Sequence, residues 1–122
     1  MFYRILIILL SMQLVSQEYE ITSENIQINT EENTIIYENK VVFKSENIKF
    51  KADILNLNQD NETFSATGAP IKISFFDGTE FIEGQANAIK VTKEKLILSE
   101  KVIIVKAGNK IRSEKMIINL DK

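Results

Sequence analysis

Between Ile35 and Leu57 the chain reads IIYENKVVFKSENIKFKADILNL, with its apolar residues on alternate positions in short runs: Ile35 and Tyr37, Val41 and Phe43, Ile48 and Phe50, Leu55 and Leu57. Side chains alternate faces along a strand, so this period specifies half-buried strands and not helix. The breaks at Glu38-Asn39, Ser45-Glu46-Asn47 and Ala52-Asp53 are too short for a crossover helix. Four strands, each antiparallel to its neighbour, are therefore predicted here. The pattern returns from Leu96 to Ile118: a shift of about 61 positions lays Ile35 on Leu96, Val41 on Val102, Phe43 on Ile104 and Leu55 on Met116. Identities are few, so the match is either internal symmetry or two meanders that happen to superimpose.

The rest of the chain has the same texture. Tyr19 and Ile21 open a strand that continues past Ser23-Glu24 as Ile26 and Ile28, and Thr30-Glu31-Glu32-Asn33 closes it. Asn58-Gln59-Asp60-Asn61 reads as a turn, and Phe64 as a short strand ending at Gly68-Ala69-Pro70. Ile71, Ile73 and Phe75 lead to Asp77-Gly78, the strongest hairpin signal in the chain. Phe81-Ile82, Ile89 and Val91 follow, with Thr92-Lys93-Glu94 as the next turn. No segment has apolar residues at helical spacing over three turns. The expectation is an all-β protein of about a dozen short antiparallel strands: a sandwich, a jelly roll or a barrel.

Residues 1–16, MFYRILIILLSMQLVS, have the positive start (Arg4), apolar run and small final residue of a secretory signal peptide, with an uncleaved anchor as the alternative. A single domain is expected over residues 17–122. Losing Arg4 would change 15 basic and 17 acidic residues to 14 and 17, a net charge of about −3 with no basic patch, so no nucleic-acid partner is expected. The chain has no cysteine and no histidine, which excludes thiolate chemistry, disulfides, a Ser-His-Asp triad and His-metal clusters. No cofactor and no metal site is expected. Asp53 and Glu114, at matching places in the repeat, are the only carboxylate pair worth weighing for glycoside cleavage, but equivalent positions of two repeats usually lie far apart. Asp77-Gly78 lacks the companion acids of a calcium loop.

The first and last strands, Tyr19 to Ser23 and Met116 to Leu120, have no proline and no tail to cover them. Open edges invite strand addition or head-to-tail assembly, which makes Ile21, Thr22, Ser23, Met116, Ile117, Ile118, Asn119 and Leu120 the candidate assembly edges. Several segments carry a resemblance in their order and spacing. They are Ile21-Thr22-Ser23-Glu24, Tyr37 to Phe43, Ile48-Lys49-Phe50-Lys51-Ala52-Asp53, Gly68-Ala69-Pro70, Glu83-Gly84-Gln85-Ala86 and Ile111-Arg112-Ser113-Glu114. Over nearly its whole length from Tyr19 to Leu120 the chain resembles the LptA/OstA-like family of lipopolysaccharide transport. It departs from that family where Asn39-Lys40 and Glu100-Lys101 stand in place of a usual Gly-Asn.

The resemblance implies an open, twisted β-jelly roll whose apolar groove holds the acyl chains of lipid A. The implied protein is a non-enzymatic periplasmic bridge from the inner-membrane complex toward the outer membrane, stacked head to tail or against other OstA-like jelly rolls. The implied groove residues are the uncharged alternating set Tyr19, Ile21, Tyr37, Phe43, Phe50, Ile73, Phe75, Phe81, Leu98 and Ile104. A membrane-anchored sister component of the same pathway, and a purely structural β assembly with a closed core, are the alternatives.

Overall fold

The computed structural model describes residues 18–120, and every regular element in it is a strand. Two short strands, β1 (Tyr19–Thr22) and β2 (Asn25–Asn29), precede six of 11 to 14 residues. These six are β3 (Thr34–Ser45), β4 (Ile48–Asn58), β5 (Thr63–Phe76), β6 (Phe81–Val91), β7 (Lys95–Lys106) and β8 (Asn109–Asn119). All pairings are antiparallel and make one sheet in the order β1-β3-β4-β5-β6-β7-β8, with β2 also pairing β3. Among the described residues nothing pairs with the outer side of β8 or of β1 and β2, so the sheet is open at both ends. The signal peptide or anchor expected at residues 1–16 lies outside the described residues.

Eight strands replace the expected dozen because several of the supposed breaks do not reverse the chain. Glu38-Asn39, Ala52-Asp53 and Gly68-Ala69-Pro70 all lie inside long strands, where the register shifts between Glu38 and Val41, Lys51 and Ile54, and Thr67 and Ile71. Further shifts fall between Gln85 and Ala88 and between Ser99 and Val102. Extra residues in a strand bend it and leave both flanks paired. The offset keeps apolar side chains on one face through the bend: in β4, Ile48, Phe50 and Ala52 are buried before it, and Leu55 and Leu57 after it.

Lined up across the sheet, these bends fold it into two leaves with their apolar faces turned inward. Phe43 on β3 and Phe64 on β5 are not on adjacent strands, yet their rings lie 5.2 Å apart edge to face, across the gap between the leaves. Phe75, Leu55, Ile71, Leu96, Leu98, Val41 and Val102 are the largest side chains removed almost completely from solvent. No polar or charged side chain among the described residues is buried with them.

The sequence repeat is internal symmetry of the fold. A shift of 61 positions carries the β3–β4 pairs Glu38↔Ile54, Val41↔Ala52 and Phe43↔Phe50 onto the β7–β8 pairs Ser99↔Lys115, Val102↔Ser113 and Ile104↔Ile111. Even the backbone at the bend repeats: φ is 68° and 54° at Asn39 and Lys40, and 68° and 59° at Glu100 and Lys101. Left-handed backbone costs a residue with a side chain about 1–2 kcal/mol, less for Asn. Glu100→Gly should therefore raise stability, net of the added freedom of the unfolded chain, by about 0.5–1 kcal/mol. Urea unfolding followed by circular dichroism measures it.

Candidate functional site

Inward-facing aromatics gather where β1 lies beside the second half of β3. Phe43 stacks on Phe50 with centroids 4.9 Å apart, Tyr19 stacks on Phe43 at 5.9 Å, and Tyr19 meets Phe64 edge to face at 5.0 Å. Between this cluster and the turn ends of the facing leaf lies a cavity of about 510 Å³. Its walls are Tyr19, Phe43 and Ile48 from one leaf, and Leu57, Phe64 and Val91 with Leu120 from the other.

Polar residues line the rest of the cavity, and the turns hold most of them in place. Ser45 Oγ accepts the N–H of Ile48 at 3.2 Å and so shapes the β3–β4 hairpin. Thr92 Oγ1 accepts the N–H groups of Glu94 at 3.3 Å and Lys95 at 3.0 Å, while the Thr92 N–H donates to the Lys95 carbonyl. The Leu120 N–H donates to the Glu94 carbonyl at 2.8 Å, which pins Leu120 against the cavity. Gln59 also lines it, and Lys93 Nζ stands 3.8 Å from Glu62 Oε1, both well exposed. Burial, with the nearby charge of Glu62 second, pushes the Tyr19 hydroxyl above its usual range. Burial does the same at Tyr37, with Tyr19 as the lesser cause. Both phenols therefore stay protonated near neutral pH and remain donors.

Away from the cavity, the Asp77-Gly78 hairpin signal is the β5–β6 turn. One Asp77 carboxylate oxygen accepts the N–H groups of Thr79 at 2.8 Å and Glu80 at 2.9 Å, and the other accepts from Lys106 Nζ at 2.8 Å. The Lys106 hydrogen bond first, and the two backbone ones next, hold the Asp77 carboxyl well below the usual carboxylate range. The unfolded chain binds this proton more tightly, so ionised Asp77 favours the fold above about pH 4 and loses that contribution as pH falls further. Asp77→Asn should lower the unfolding midpoint at pH 7 and flatten its decline below about pH 4. Thermal unfolding across that range reads it directly.

Of the ten groove candidates, Tyr19 and Phe43 line the cavity. Ile21 and Tyr37 are half-buried beside the core at the β1–β3 end. Phe50, Ile73, Phe75, Leu98 and Ile104 are packed inside. Phe81 is on the wrong face for a groove residue: Ile82 next to it points inward, and Phe81 lies exposed on the outside, 5.3 Å from the Phe76 ring. Two adjacent apolar residues leave the phase of a strand undetermined, and here Ile82 takes the core position.

Among the edge candidates, Ile21 and Thr22 lie on β1 and Ser23 just after it; Met116, Ile117, Ile118 and Asn119 lie on β8 and Leu120 follows. Met116, Ile118 and Leu120 pack on the core from that edge, while Ile117 is exposed on the outer face. Ile48, Leu57, Phe64 and Val91 were not singled out for the site, although alternation places each of them inward. Asp53 and Glu114 lie on β4 and β8 with β5, β6 and β7 between them in the sheet, so the fold does not bring them together. No cluster of acids among the described residues has the arrangement of a metal site.

Two inward-facing leaves, open at both sheet ends and with a cavity of mixed apolar and polar lining between them, define an open β-jelly roll. Residues 20–122 match the family described as LptA/(LptD N-terminal domain) LPS transport protein, and the chain belongs to it. Its fold is similar to that of LptH from Pseudomonas aeruginosa, described as the LptA-homologous periplasmic component of the conserved lipopolysaccharide transport device. The two are 15% identical in sequence with a TM-score of 0.74, over 83% of this chain and 75% of that one. No curated protein matches this chain.

Proposed function

We propose that this protein is a periplasmic carrier of lipopolysaccharide that takes lipid A acyl chains between its leaves and hands them on along a bridge of jelly rolls without chemical change. The cavity carries this reading: about 510 Å³, walled by Tyr19, Phe43, Ile48, Leu57, Phe64 and Leu120 with polar residues on its remaining sides, within the range of pockets that hold small ligands. Each methylene moved from water into it gains about 0.8 kcal/mol. Such burial has no preferred direction, so a chain held there can slide onward at little net cost. Lys93 also lines the cavity, where its ammonium can meet a phosphate of such a guest. The open edges suit assembly: β8 and the β1–β2 pair run in the same direction, so a second copy stacked in line, or another jelly roll of the pathway, can continue the sheet with a parallel pair.

A membrane-anchored component of the pathway would use the same interior. One observation favours a structural assembly instead: Phe75, Ile71, Leu96 and Leu98 are almost completely buried between the leaves. In the carrier, guest chains occupy the cavity and the open ends first, and the leaves part about the line of bends to let them pass. A polarity-sensitive apolar fluorophore separates the two readings. The carrier brightens it and releases it to lipopolysaccharide, whereas an assembly with a filled interior does neither.

A further inference from the structure

We infer that the outer face of one leaf is a docking surface for an anionic lipid bilayer, held by a cluster of lysines and an adjacent pair of phenylalanines. This leaf is built from β1, the second halves of β3, β5 and β7, and the first halves of β4, β6 and β8. In the sequence its lysines stand apart, and the register of the sheet gathers them. Lys44 on β3 lies opposite Lys49 on β4, and Lys51 on β4 lies opposite Lys72 on β5. All four are exposed, because Phe43, Ile48, Phe50, Ile71 and Ile73 next to them take the inward positions. Neighbouring strands are about 4.8 Å apart, so four ammonium groups share a patch three strands wide. Like charges placed directly opposite one another destabilise a sheet. Among the described residues none of the four lysines is in an ion pair.

Solvation of the face does not require this arrangement. Past the bends, the outward pairs of the same two strands are Ile54 with Thr67, Asn56 with Ser65 and Asn58 with Thr63, all uncharged. Nor do the lysines guard an edge, where lysine commonly blocks unwanted pairing: β4 and β5 lie inside the sheet. The basic pair on β4 also repeats, since the 61-position shift carries Lys49 and Lys51 onto Lys110 and Arg112 at the far side of the same leaf. The acids at paired outward positions of this leaf are Glu20, opposite Lys44, and Glu83, opposite Ser74. Asp53 and Glu114 sit at the bends, and Asp77 in the β5–β6 turn is taken up by Lys106. Basic residues therefore outnumber acids on this face, in a chain with 15 basic and 17 acidic residues.

The apolar residues beside the patch select a bilayer among polyanions. Phe76 on β5 and Phe81 on β6 face the same side, paired across the strands with their rings 5.3 Å apart. They lie one outward step beyond Ser74, which itself pairs with Lys49. Phe81 is 51% exposed, and Val105 on β7, opposite Glu83, is 44% exposed. At a membrane surface aromatic rings enter the headgroup region while lysines remain with the lipid phosphates. The charges of a bilayer also move within its plane, so a sheet face can meet them without a fixed register. Tyr19, Phe43 and Ile48 wall the cavity from the opposite side of this leaf, so docking by the outer face leaves the interior free. The inference therefore does not depend on what enters the cavity.

The test uses the chain from Gln17 onward, which keeps every described strand and the core and omits the apolar start as a separate source of lipid affinity. It is sedimented with vesicles of phosphatidylglycerol and phosphatidylcholine in equal parts, and with vesicles of phosphatidylcholine alone. The expected result is saturable binding to the first, lost in high salt, and little binding to the second. A lysine near an anionic surface contributes about fivefold in affinity, so Lys49→Gln combined with Lys51→Gln should weaken binding by more than about tenfold. Lys90→Gln with Lys95→Gln, on the outer face of the other leaf, should leave it unchanged. The chain has no tryptophan, so Phe81→Trp reports from this face alone: its emission should shift to the blue on anionic vesicles, and that of Ile117→Trp should not. No binding to anionic vesicles, equal binding to neutral ones, equal loss with either lysine pair, or an unshifted Phe81→Trp emission would each overturn the inference. So would a preference for an acidic peptide or a short DNA duplex over the vesicles, which would assign the patch to another polyanion.

Discussion

Phe75→Ala is expected to cost about 3–5 kcal/mol, the largest effect of any single truncation in this chain. Phe75 is 2% exposed and lies on β5, in the sheet between the repeated pairs β3–β4 and β7–β8. It pairs with Ile48 of β4 on one side and Ile82 of β6 on the other, both inward-facing and buried. Removing the ring leaves a cavity between Ile48 and Ile82, and neither leaf can close on it without shifting its pairs. Against a total stability of about 5–15 kcal/mol for a domain, this is enough to leave the variant largely unfolded at modest urea. Phe81→Ala, on the exposed outer face, should cost far less. Urea titration of the two variants provides the comparison.

The second large effect concerns binding. Tyr19 and Leu120 line the cavity from opposite ends of the sheet, and neither is fully buried. Replacing both with glutamate brings carboxylates to an apolar wall without opening a hole in the core. If each displaces about one methylene of guest from contact, the loss is about 1.6 kcal/mol, or more than tenfold in affinity for lipopolysaccharide. Repulsion between these acids and lipid phosphates adds to it. Ile117→Glu, on the outer face, should leave affinity unchanged. Displacement of the apolar fluorophore by lipopolysaccharide measures both variants.

Alternation in the sequence was sufficient to choose a face for most positions. Val41, Phe43, Phe50, Leu55 and Leu57 are inward as their spacing requires, and the 61-position shift identified two units with the same register. A bulge was not distinguishable from a turn. Both insert residues that break the phase of two, and whether the chain then reverses depends on pairing with neighbours, so Ala52-Asp53 and Gly68-Ala69-Pro70 read as ends of strands. The left-handed pairs at Asn39-Lys40 and Glu100-Lys101 lacked their usual signal, because glycine is absent from both. The cavity was less legible still. It depends on how the leaves cross, which brings Tyr19 near the start of the described chain to Phe64 and Leu120, and no local pattern encodes that meeting.

In the proposed carrier lipid acyl chains enter between the leaves, and site-specific photocrosslinking to lipopolysaccharide tests that most directly. The reactive group is placed in turn at Phe43, Leu57 and Val91 in the cavity, and at Ile54 and Ile117 on the exposed outer face. Adducts at the three cavity positions and none at the outer two are the predicted result. Adducts at Ile54 or Ile117 alone, or none at any position in a folded protein, would contradict the carrier and leave a structural β assembly in its place.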